Sequence, residues 1–147
     1  MAGISLLKVF MLLGTHTLDV LCLQETWLTQ SAVTLDIPGY QVFEQRRSTG
    51  KRGGIAIIVR NGIQVIRHVG NEFSQGVCLQ VHGGEKLWVG NVYMPPVQNL
   101  QKRRVDETVT RSLIEDTLGS FQNSMTHVIC GDWNARVGNL SPTINNI

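Results

Sequence analysis

The sequence has little charge, few cysteines and no long apolar run. Charged residues make up 16% of its 147 residues, and the formal net charge of +2 is too small to identify a partner. No apolar run approaches membrane-spanning length, and the stretch Val9 to Leu13, preceded by Lys8, is short for a signal peptide. There is no internal repeat, linker or low-complexity tract. With 42% hydrophobic residues, the chain is predicted to form one packed domain over residues 1–147.

The number and spacing of the three cysteines argue against a metal site built from cysteine ligands. Cys22, Cys78 and Cys130 all lie inside apolar runs, are odd in number and lack the spacing of metal ligands. We therefore interpret them as buried, reduced core residues, which points to an intracellular compartment, the nucleus included.

Glycine-rich phosphate loops of the Walker or dinucleotide type are also absent. Carboxylates instead follow two short apolar runs: Glu25 comes after Val20 to Leu23, and Asp132 comes after Val128 to Cys130. A buried strand delivers an acid to the edge of a sheet in this way. Two such acids on neighbouring strands can hold a hard divalent cation, a common device for cleaving phosphate esters.

Positive charge is concentrated in two segments. One contains Arg46, Arg47, Lys51 and Arg52, and the other runs from Lys102 to Arg104. Loops of this kind suit contacts with phosphates, and the first cluster is a candidate nucleic-acid-binding segment. The alternative is an ordinary solvated surface.

The periodicity predicts an α+β order with hairpins rather than regular βαβ alternation. An amphipathic helix is expected first, with Leu6, Leu7, Phe10, Met11 and Leu13 on its buried face. Asn61-Gly62 is the strongest two-residue hairpin signal, and it predicts that 63–68 runs antiparallel to the strand before it. The Gly83-Gly84 turn predicts a second hairpin, and Pro95-Pro96 ends its second strand. The predicted elements are strands at 18–24, 40–44, 55–60, 63–68, 77–81, 87–93 and 126–131 and a helix within 100–121.

Three polar side chains near the predicted strand ends could act on a phosphate. Asp132 can hold a metal or deprotonate a water, and Asn134, two residues on and on the same side, can donate to a phosphate oxygen. Tyr93 lies where its strand leaves the sheet, and a phenol there can stabilise charge on a phosphoryl oxygen. Taken singly, an aspartate at a strand end is commonly a turn residue and a tyrosine there a half-buried core residue.

Four motifs in order resemble the endonuclease/exonuclease/phosphatase family, most closely the endonuclease domain of non-LTR (LINE-type) retrotransposons. They are Leu23-Gln24-Glu25-Thr26-Trp27, Gly53-Gly54-Ile55-Ala56, Asn91-Val92-Tyr93-Met94-Pro95 and Gly131-Asp132-Trp133-Asn134-Ala135. The resemblance implies a four-layer α/β sandwich and a phosphodiesterase that nicks DNA with Mg²⁺ or Mn²⁺. By motif, Glu25 matches the metal ligand, and the catalytic residues are Tyr93, Asp132, which orients or activates the water, and Asn134, which contacts the phosphate.

The sequence departs from that family in two ways. No asparagine of the family's first strand precedes Glu25, and no Ser-Asp-His-like motif follows Asp132. We therefore expect a partial sandwich that lacks the first strand and most of the second half, with impaired catalysis and an apolar face left in water. A completing chain or a dimer would supply the missing part of the sandwich. The alternatives are a non-catalytic nucleic-acid-binding or protein-interaction module, and an enzyme acting on a phospholipid or inositol phosphate.

Overall fold

The computed structural model describes residues 6–28, 34–47, 53–96, 99, 106–121, 123 and 125–134, with the main chain only for Leu6 and Leu7. Two α-helices, one 3₁₀ turn and seven strands lie in this part of the chain. In chain order they are α1 (Leu6–Thr15), β1 (Val20–Gln24), β2 (Tyr40–Gln45), β3 (Ile55–Arg60), β4 (Gln64–Gly70), β5 (Ser74–Gln80), the 3₁₀ turn (His82–Gly84), β6 (Lys86–Tyr93), α2 (Glu107–Gly119) and β7 (Thr126–Asp132).

The strands form two sheets that lie between the two helices. The first sheet has the order β1-β3-β2 and the second has the order β4-β5-β6-β7. All neighbours are antiparallel except β6 and β7, which run parallel because α2 forms the crossover between them. Val9 and Leu13 of α1 pack on the first sheet, and Ile114 of α2 packs on the second. The succession helix, sheet, sheet, helix confirms the predicted four-layer α/β sandwich.

The inner faces of the two sheets share one apolar core. Ile57 and Val59 of β3 meet Val77 and Leu79 of β5 and Val89 of β6, all buried. Every residue from Ile55 to Val59 is buried because β3 is the central strand of its sheet and is covered by α1 on one face and by the second sheet on the other. Both sheets are therefore covered on their inner faces within the described part of the chain.

The hairpin predicted at Asn61-Gly62 is wrong. Strand β3 pairs with β1 on one side and with β2 on the other, so neither of its edges is open to β4. The chain turns at Gly62 (φ +94°), with Ile63 N–H donating to Arg60 O at 3.2 Å, and crosses to the second sheet, where β4 pairs with β5. A local turn signal fixes the turn but not the partner of the strand that follows it.

The second predicted hairpin and the late helix are confirmed. Strands β5 and β6 pair in an unbroken antiparallel register, and β6 ends at Tyr93, just before the two prolines. Helix α2 begins after Asp106, whose side chain accepts from Thr108 N–H at 2.8 Å, with Glu107 in the first turn. The positions from 97 to 105 lie outside the described residues, apart from Asn99, so the earlier start at 100 stays a prediction. No helix in the described ranges is long and apolar enough to cross a membrane.

Helix α1 is present, and its buried face is the predicted one only in part: Leu13 is buried as expected, and the side chains of Leu6 and Leu7 lie outside the described part of the chain. Val9 and Leu13, one turn apart, are buried, whereas Phe10 and Met11 are 38% and 63% exposed. The packing of α1 on the first sheet determines which of its residues are buried, and among its described side chains the stripe formed by Val9 and Leu13 contacts that sheet.

The cysteines also differ in part from the prediction. All three thiols are free, as expected, but only Cys78 is buried, and Cys22 and Cys130 are partly exposed. Strand β7 explains the exposure of Cys130: it is the last described strand of the second sheet, and Val128 and Ile129 on it are each 46% exposed. Among the described residues, the inner sheet faces cover each other, so the expected uncovered sheet face is not observed there. Exposed large apolar side chains lie instead on α1, on α2 (Val109), on β4 (Ile66) and on β7.

Candidate active site

Glu25 lies one residue beyond β1 and is held by three hydrogen-bond donors. Tyr93 Oη–H donates to its Oε1, while Trp27 Nε1–H and the Gly53 main-chain N–H donate to its Oε2 at 2.6 and 3.1 Å. Both Glu25 and Trp27 adopt left-handed backbone conformations, with φ of 56° and 55°. Such strain in non-glycine residues is typical of functional sites and persists only where the surroundings enforce it.

The Gly53-Gly54 pair supplies that enforcement. Thr26 N–H donates to Gly54 O at 3.1 Å, and Trp27 N–H donates to Gly53 O at 2.8 Å. Gly54 has φ +85°, and a Cβ atom there would lie 2.5 Å from Thr26 Oγ1. Glycine is therefore required for the second motif to close against the loop that carries Glu25.

Tyr93 and Asp132 reach the same rim from neighbouring strands. They are register partners in the parallel pair of β6 and β7, so their side chains project to the same side of the second sheet. Tyr93 is buried, and its hydroxyl joins the second sheet to Glu25 of the first. Three residues that are far apart in the sequence thus meet at one edge of the sandwich.

Asn134 extends this rim beyond the end of β7. Its backbone is left-handed (φ 45°), its N–H donates to Asp132 Oδ1 at 3.0 Å, and its Nδ2–H donates to Met94 O at 2.8 Å. The Asp132 carboxylate is thereby fixed by its own turn. An amide carries two N–H groups, so a contact to Met94 engages one of the two.

A buried polar contact between the sheets lies directly behind the site. Asn91 is fully buried, and its Nδ2 donates to Leu23 O at 2.9 Å and to Ala56 O at 3.1 Å, while its Oδ1 accepts from Gln24 Nε2 at 2.5 Å. Asn91 therefore anchors the end of β1, immediately before Glu25, to β6, which carries Tyr93.

The rim carboxylates fit a hard divalent cation in kind. Glu25 and Asp132 offer oxygen ligands, although no group of three or more His, Cys, Asp or Glu side chains in the described ranges is placed to enclose a metal. Mg²⁺ is commonly bound by one or two carboxylates together with waters and substrate phosphate. The residues present match that open type of site rather than a closed cage.

The basic segment is only partly described. Arg46 donates to Glu44 from Nε, with a 2.7 Å ion pair, and Arg47 is 6% exposed and lies 3.6 Å from Glu72. The predicted contact with nucleic acid requires an accessible side chain, but Arg47 is buried. Lys51 and Arg52, like Lys102 to Arg104, lie outside the described residues, and the nucleic-acid-binding role of the segment stays a prediction.

Cys22 of β1 and Cys130 of β7 lie within hydrogen-bond distance of each other across the two sheets, and both are partly exposed. Burial, and to a lesser degree the adjoining Cys130 thiol with its hydrogen bond, raises the pKa of Cys22 from 9.0 to about 12. The thiol stays neutral at physiological pH and is a weak nucleophile, which assigns it to the core rather than to the chemistry of the rim.

The sequence located Glu25, Tyr93, Asp132 and Asn134, and the structure brings the first three to one rim, with Asn134 beside them. The sequence analysis missed two residues: Trp27, which donates to Glu25, and Asn91, whose contact lies behind Glu25. A signal for Asn91 existed, because strand alternation places it on the same inward face as Tyr93, where a polar residue needs a partner.

The fold and this rim define an α/β sandwich whose two sheets deliver a carboxylate, a phenol and a second carboxylate to a common edge. The chain belongs to the endonuclease/exonuclease/phosphatase family, whose sequence profile matches residues 4–143. No curated protein sequence matches the chain significantly.

Solved structures with the same fold are distant in sequence. The human Nocturnin catalytic domain with bound sulfate anion is 15% identical (TM-score 0.60) and is matched over 87% of this chain and 56% of its own. ANGEL2, a 2′,3′-cyclic phosphatase, is 19% identical (TM-score 0.64) and is matched over 90% of this chain and 44% of its own. The Xenopus laevis APE2 catalytic domain is 16% identical (TM-score 0.62) and is matched over 86% of this chain and 53% of its own. The chain therefore spans about half the length of the solved structures it matches.

Proposed function

We propose that this chain is a metal-dependent phosphodiesterase domain of the retrotransposon endonuclease type that nicks DNA. The observation that carries the proposal is the meeting of Glu25, Tyr93 and Asp132, residues from three separate motifs, at one rim of the sandwich. Family membership over residues 4–143 and a 2′,3′-cyclic phosphatase among the structural neighbours support phosphoester chemistry.

In the proposed reaction, Asp132 accepts a proton from a water molecule as the water oxygen bonds to phosphorus. The bond between phosphorus and the leaving sugar oxygen breaks, and that oxygen takes up a proton from solvent. Asp132 suits the task because the N–H of Asn134 holds its Oδ1 in place while the side chain remains exposed.

Asn134 and Tyr93 would donate to the phosphoryl oxygens. The donors now serve Met94 O and the Glu25 carboxylate. The contact to Met94 uses one of the two amide N–H groups of Asn134, so the other can donate to a charged phosphodiester oxygen, a stronger acceptor than a neutral carbonyl. Tyr93 would donate more strongly as negative charge grows on phosphorus.

Glu25 would hold the divalent cation, Mg²⁺ or Mn²⁺, together with water and substrate oxygens. Enzymes of this family are generally divalent-metal dependent. A bound cation of this kind neutralises charge on the phosphoryl group. The donors Trp27 and Gly53 then serve to aim the Glu25 carboxylate, as groups behind a metal ligand commonly do.

Arg46, Lys51 and Arg52 would contact the DNA backbone, whereas Arg47 is buried beside Glu72 and takes no part. Arg46 is 14% exposed where it pairs with Glu44, and it would exchange this carboxylate for a phosphate. Binding through phosphate contacts weakens steeply as salt is added. The logarithm of the binding constant for duplex DNA should therefore fall linearly with the logarithm of the salt concentration.

Conversion of supercoiled plasmid to the nicked circle tests the proposal. The full chain is assayed with Mg²⁺, with Mn²⁺ and with chelator, beside Asp132→Asn and, as a matched control, Asp36→Asn at an exposed loop position. We expect metal-dependent nicking that falls by about 10²–10⁴-fold in Asp132→Asn, the usual contribution of a general base, and is unchanged in Asp36→Asn.

Absence of nicking by a protein that circular dichroism shows to be folded would reject the enzyme and leave the non-catalytic binding module. Release of phosphate from an inositol phosphate, or cleavage of a phospholipid, without plasmid nicking would retain phosphoester hydrolysis and reject DNA as the substrate.

A further inference from the structure

A small cavity of about 260 Å³ lies beside the candidate active site, between α2 and the ends of β6 and β7. Its lining is mostly apolar, with one cation and one carboxylate at the wall. The lining residues are Met94, Arg111, Ile114, Glu115, Leu118 and Trp133.

The cavity is joined to the site through the main chain. Trp133 lies between Asp132 and Asn134, and Met94 directly follows Tyr93 and accepts from Asn134 through its carbonyl oxygen. Met94 packs against the cluster that contains Ile114 of α2, and Trp133 shares the cavity lining with Ile114 and Leu118. Tyr93 instead contacts Glu25 of the first sheet, and Asp132 is its register partner. A group bound in the cavity therefore sits across the rim from the proposed phosphate position.

Trp133 is the exposed wall of this cavity. It is 46% exposed, although large aromatic residues are buried on average, and it lines the cavity together with the apolar side chains of Ile114 and Leu118. An accessible indole face next to an apolar floor is a stacking platform for a planar ring.

We propose that this cavity binds one nucleobase of the strand whose phosphate is held at Asp132 and Asn134. The inference rests on the proposed function and names its substrate as a nucleic acid with an unstacked base beside the scissile phosphate. A volume of 260 Å³ is below the range of roughly 300–1,000 Å³ that takes extended ligands, and it suits a single ring system.

The two charged residues at the wall match the edge of a base better than an acyl chain. The Arg111 guanidinium is held by Glu107 at 2.8 Å and offers further N–H donors, and Glu115 offers acceptors. Bases splayed out of a strand are typically read by stacking on an aromatic or guanidinium plane together with hydrogen bonds to their edges. A lipid chain would leave both charges facing apolar surface.

Tryptophan fluorescence of the full chain tests this proposal without cleavage. Asp132→Asn protein in chelator is titrated with a short single-stranded DNA and with a same-length strand of abasic residues, which keeps the phosphates but lacks bases. We expect quenching and tight binding with the first strand only. In the same background, the Trp133 variants lack the reporting indole, so affinity is followed by the fluorescence anisotropy of an end-labelled strand. Trp133→Ala should weaken binding about 5- to 100-fold, Trp133→Phe should retain most of the affinity, and Ile66→Ala, 44% exposed on β4, should change nothing.

Equal affinity for the abasic strand, or unchanged binding in a Trp133→Ala protein that melts like its parent, would overturn the proposal. Quenching by micelles of a short-chain phospholipid, without quenching by DNA, would overturn it in favour of a lipid site. Plasmid nicking fails or succeeds independently of these titrations, because they contain no metal, so the two proposals are separately testable.

Discussion

Asn91 of β6 donates from Nδ2 to the main-chain oxygen of Leu23 at 2.9 Å, two residues before Glu25. The same amide serves Ala56 O on β3, and its oxygen accepts from Gln24. One fully buried side chain thus ties β1 and β3 of the first sheet to the strand that ends in Tyr93. This contact therefore lies directly behind Glu25 and Tyr93, which are themselves joined by a hydrogen bond.

Replacement of Asn91 by leucine should lower the free energy of unfolding by about 2–4 kcal/mol. The isosteric side chain leaves the Leu23 and Ala56 carbonyl oxygens buried without their donor, and each unsatisfied buried group costs about 1–3 kcal/mol. Urea denaturation followed by circular dichroism measures the change. Gln80→Leu, at the exposed end of β5, is the control and should differ from the parent by less than about 0.5 kcal/mol. Equal stabilities for the two variants would contradict the role of Asn91.

Strand β3 illustrates what the sequence does and does not determine. Its bounds, Ile55–Arg60, follow from an uninterrupted apolar run between Gly54 and Asn61, and the structure confirms them. Its partners do not follow, because β1 and β2 occupy both of its edges before Asn61-Gly62 could form a hairpin. Local turn chemistry is readable in a sequence, whereas competition among distant strands for an edge is not.

The candidate site shows the same division. Glu25, Tyr93 and Asp132 stand at strand ends where apolar runs stop, which a sequence displays. The hydrogen bond from Tyr93 to Glu25 joins residues 68 positions apart on different sheets, and it depends on how those sheets pack. The burial of Arg47 beside Glu72 likewise depends on tertiary structure, so a basic run by itself did not indicate which of its cations face solvent.

Substitution of Gly54 by alanine should destabilise the protein more than the same change at Gly62. Both residues have positive φ, +85° and +94°, so both substitutions incur the left-handed strain of about 1 kcal/mol. Only Gly54 also places the new Cβ against Thr26 Oγ1, while nothing lies within 4 Å of a Cβ at Gly62. Threonine is branched at Cβ and cannot move far, so an additional ~1–3 kcal/mol is expected.

Thermal unfolding of the two alanine variants, measured side by side, gives this difference directly. Gly54→Ala should also impair nicking, since Gly54 O accepts from Thr26 N–H in the loop that carries Glu25. Identical melting temperatures would mean that the Gly54 contact relaxes without cost and would contradict the close packing of the two motifs.

Alkylation of Cys22 should be slow at mildly alkaline pH and accelerate only toward pH 12. Its pKa is raised from 9.0 to about 12, so at pH 8 the thiolate fraction is roughly a thousandfold smaller than for an unperturbed thiol. Iodoacetamide labelling with peptide mass spectrometry, at several pH values, follows each cysteine separately. Labelling in guanidinium is the internal control, since unfolding should return Cys22 to ordinary reactivity.

The same pKa shift has a consequence for stability. The unfolded chain ionises Cys22 above about pH 9, and the folded chain does so only near pH 12. The contribution of the neutral thiol is therefore complete below pH 9 and is lost as pH rises toward 12. A Cys22→Ala variant should show a smaller loss of stability over that interval than the parent, and parallel curves would contradict the shift.

Trp27→Phe should weaken the proposed metal site while leaving the fold intact. The substitution keeps an aromatic ring but removes the indole N–H that donates to Glu25 Oε2 at 2.6 Å. Loss of a group that orients a metal ligand commonly costs 10- to 100-fold in metal affinity or activity, so we expect at least a ~10-fold rise in the Mg²⁺ concentration for half-maximal nicking. Mn²⁺ binding followed by electron paramagnetic resonance reports the same change independently of catalysis.

Tyr40→Phe provides the matched control for this substitution. It also deletes one polar hydrogen-bond donor from an aromatic residue of the first sheet, but Tyr40 pairs with Arg60, at the end of the sheet away from Gln24 and Ile55. Its Mn²⁺ affinity should equal that of the parent. If Trp27→Phe binds Mn²⁺ as Tyr40→Phe does, the indole N–H has no part in aiming Glu25, and the left-handed backbone at Trp27 must be explained by packing alone.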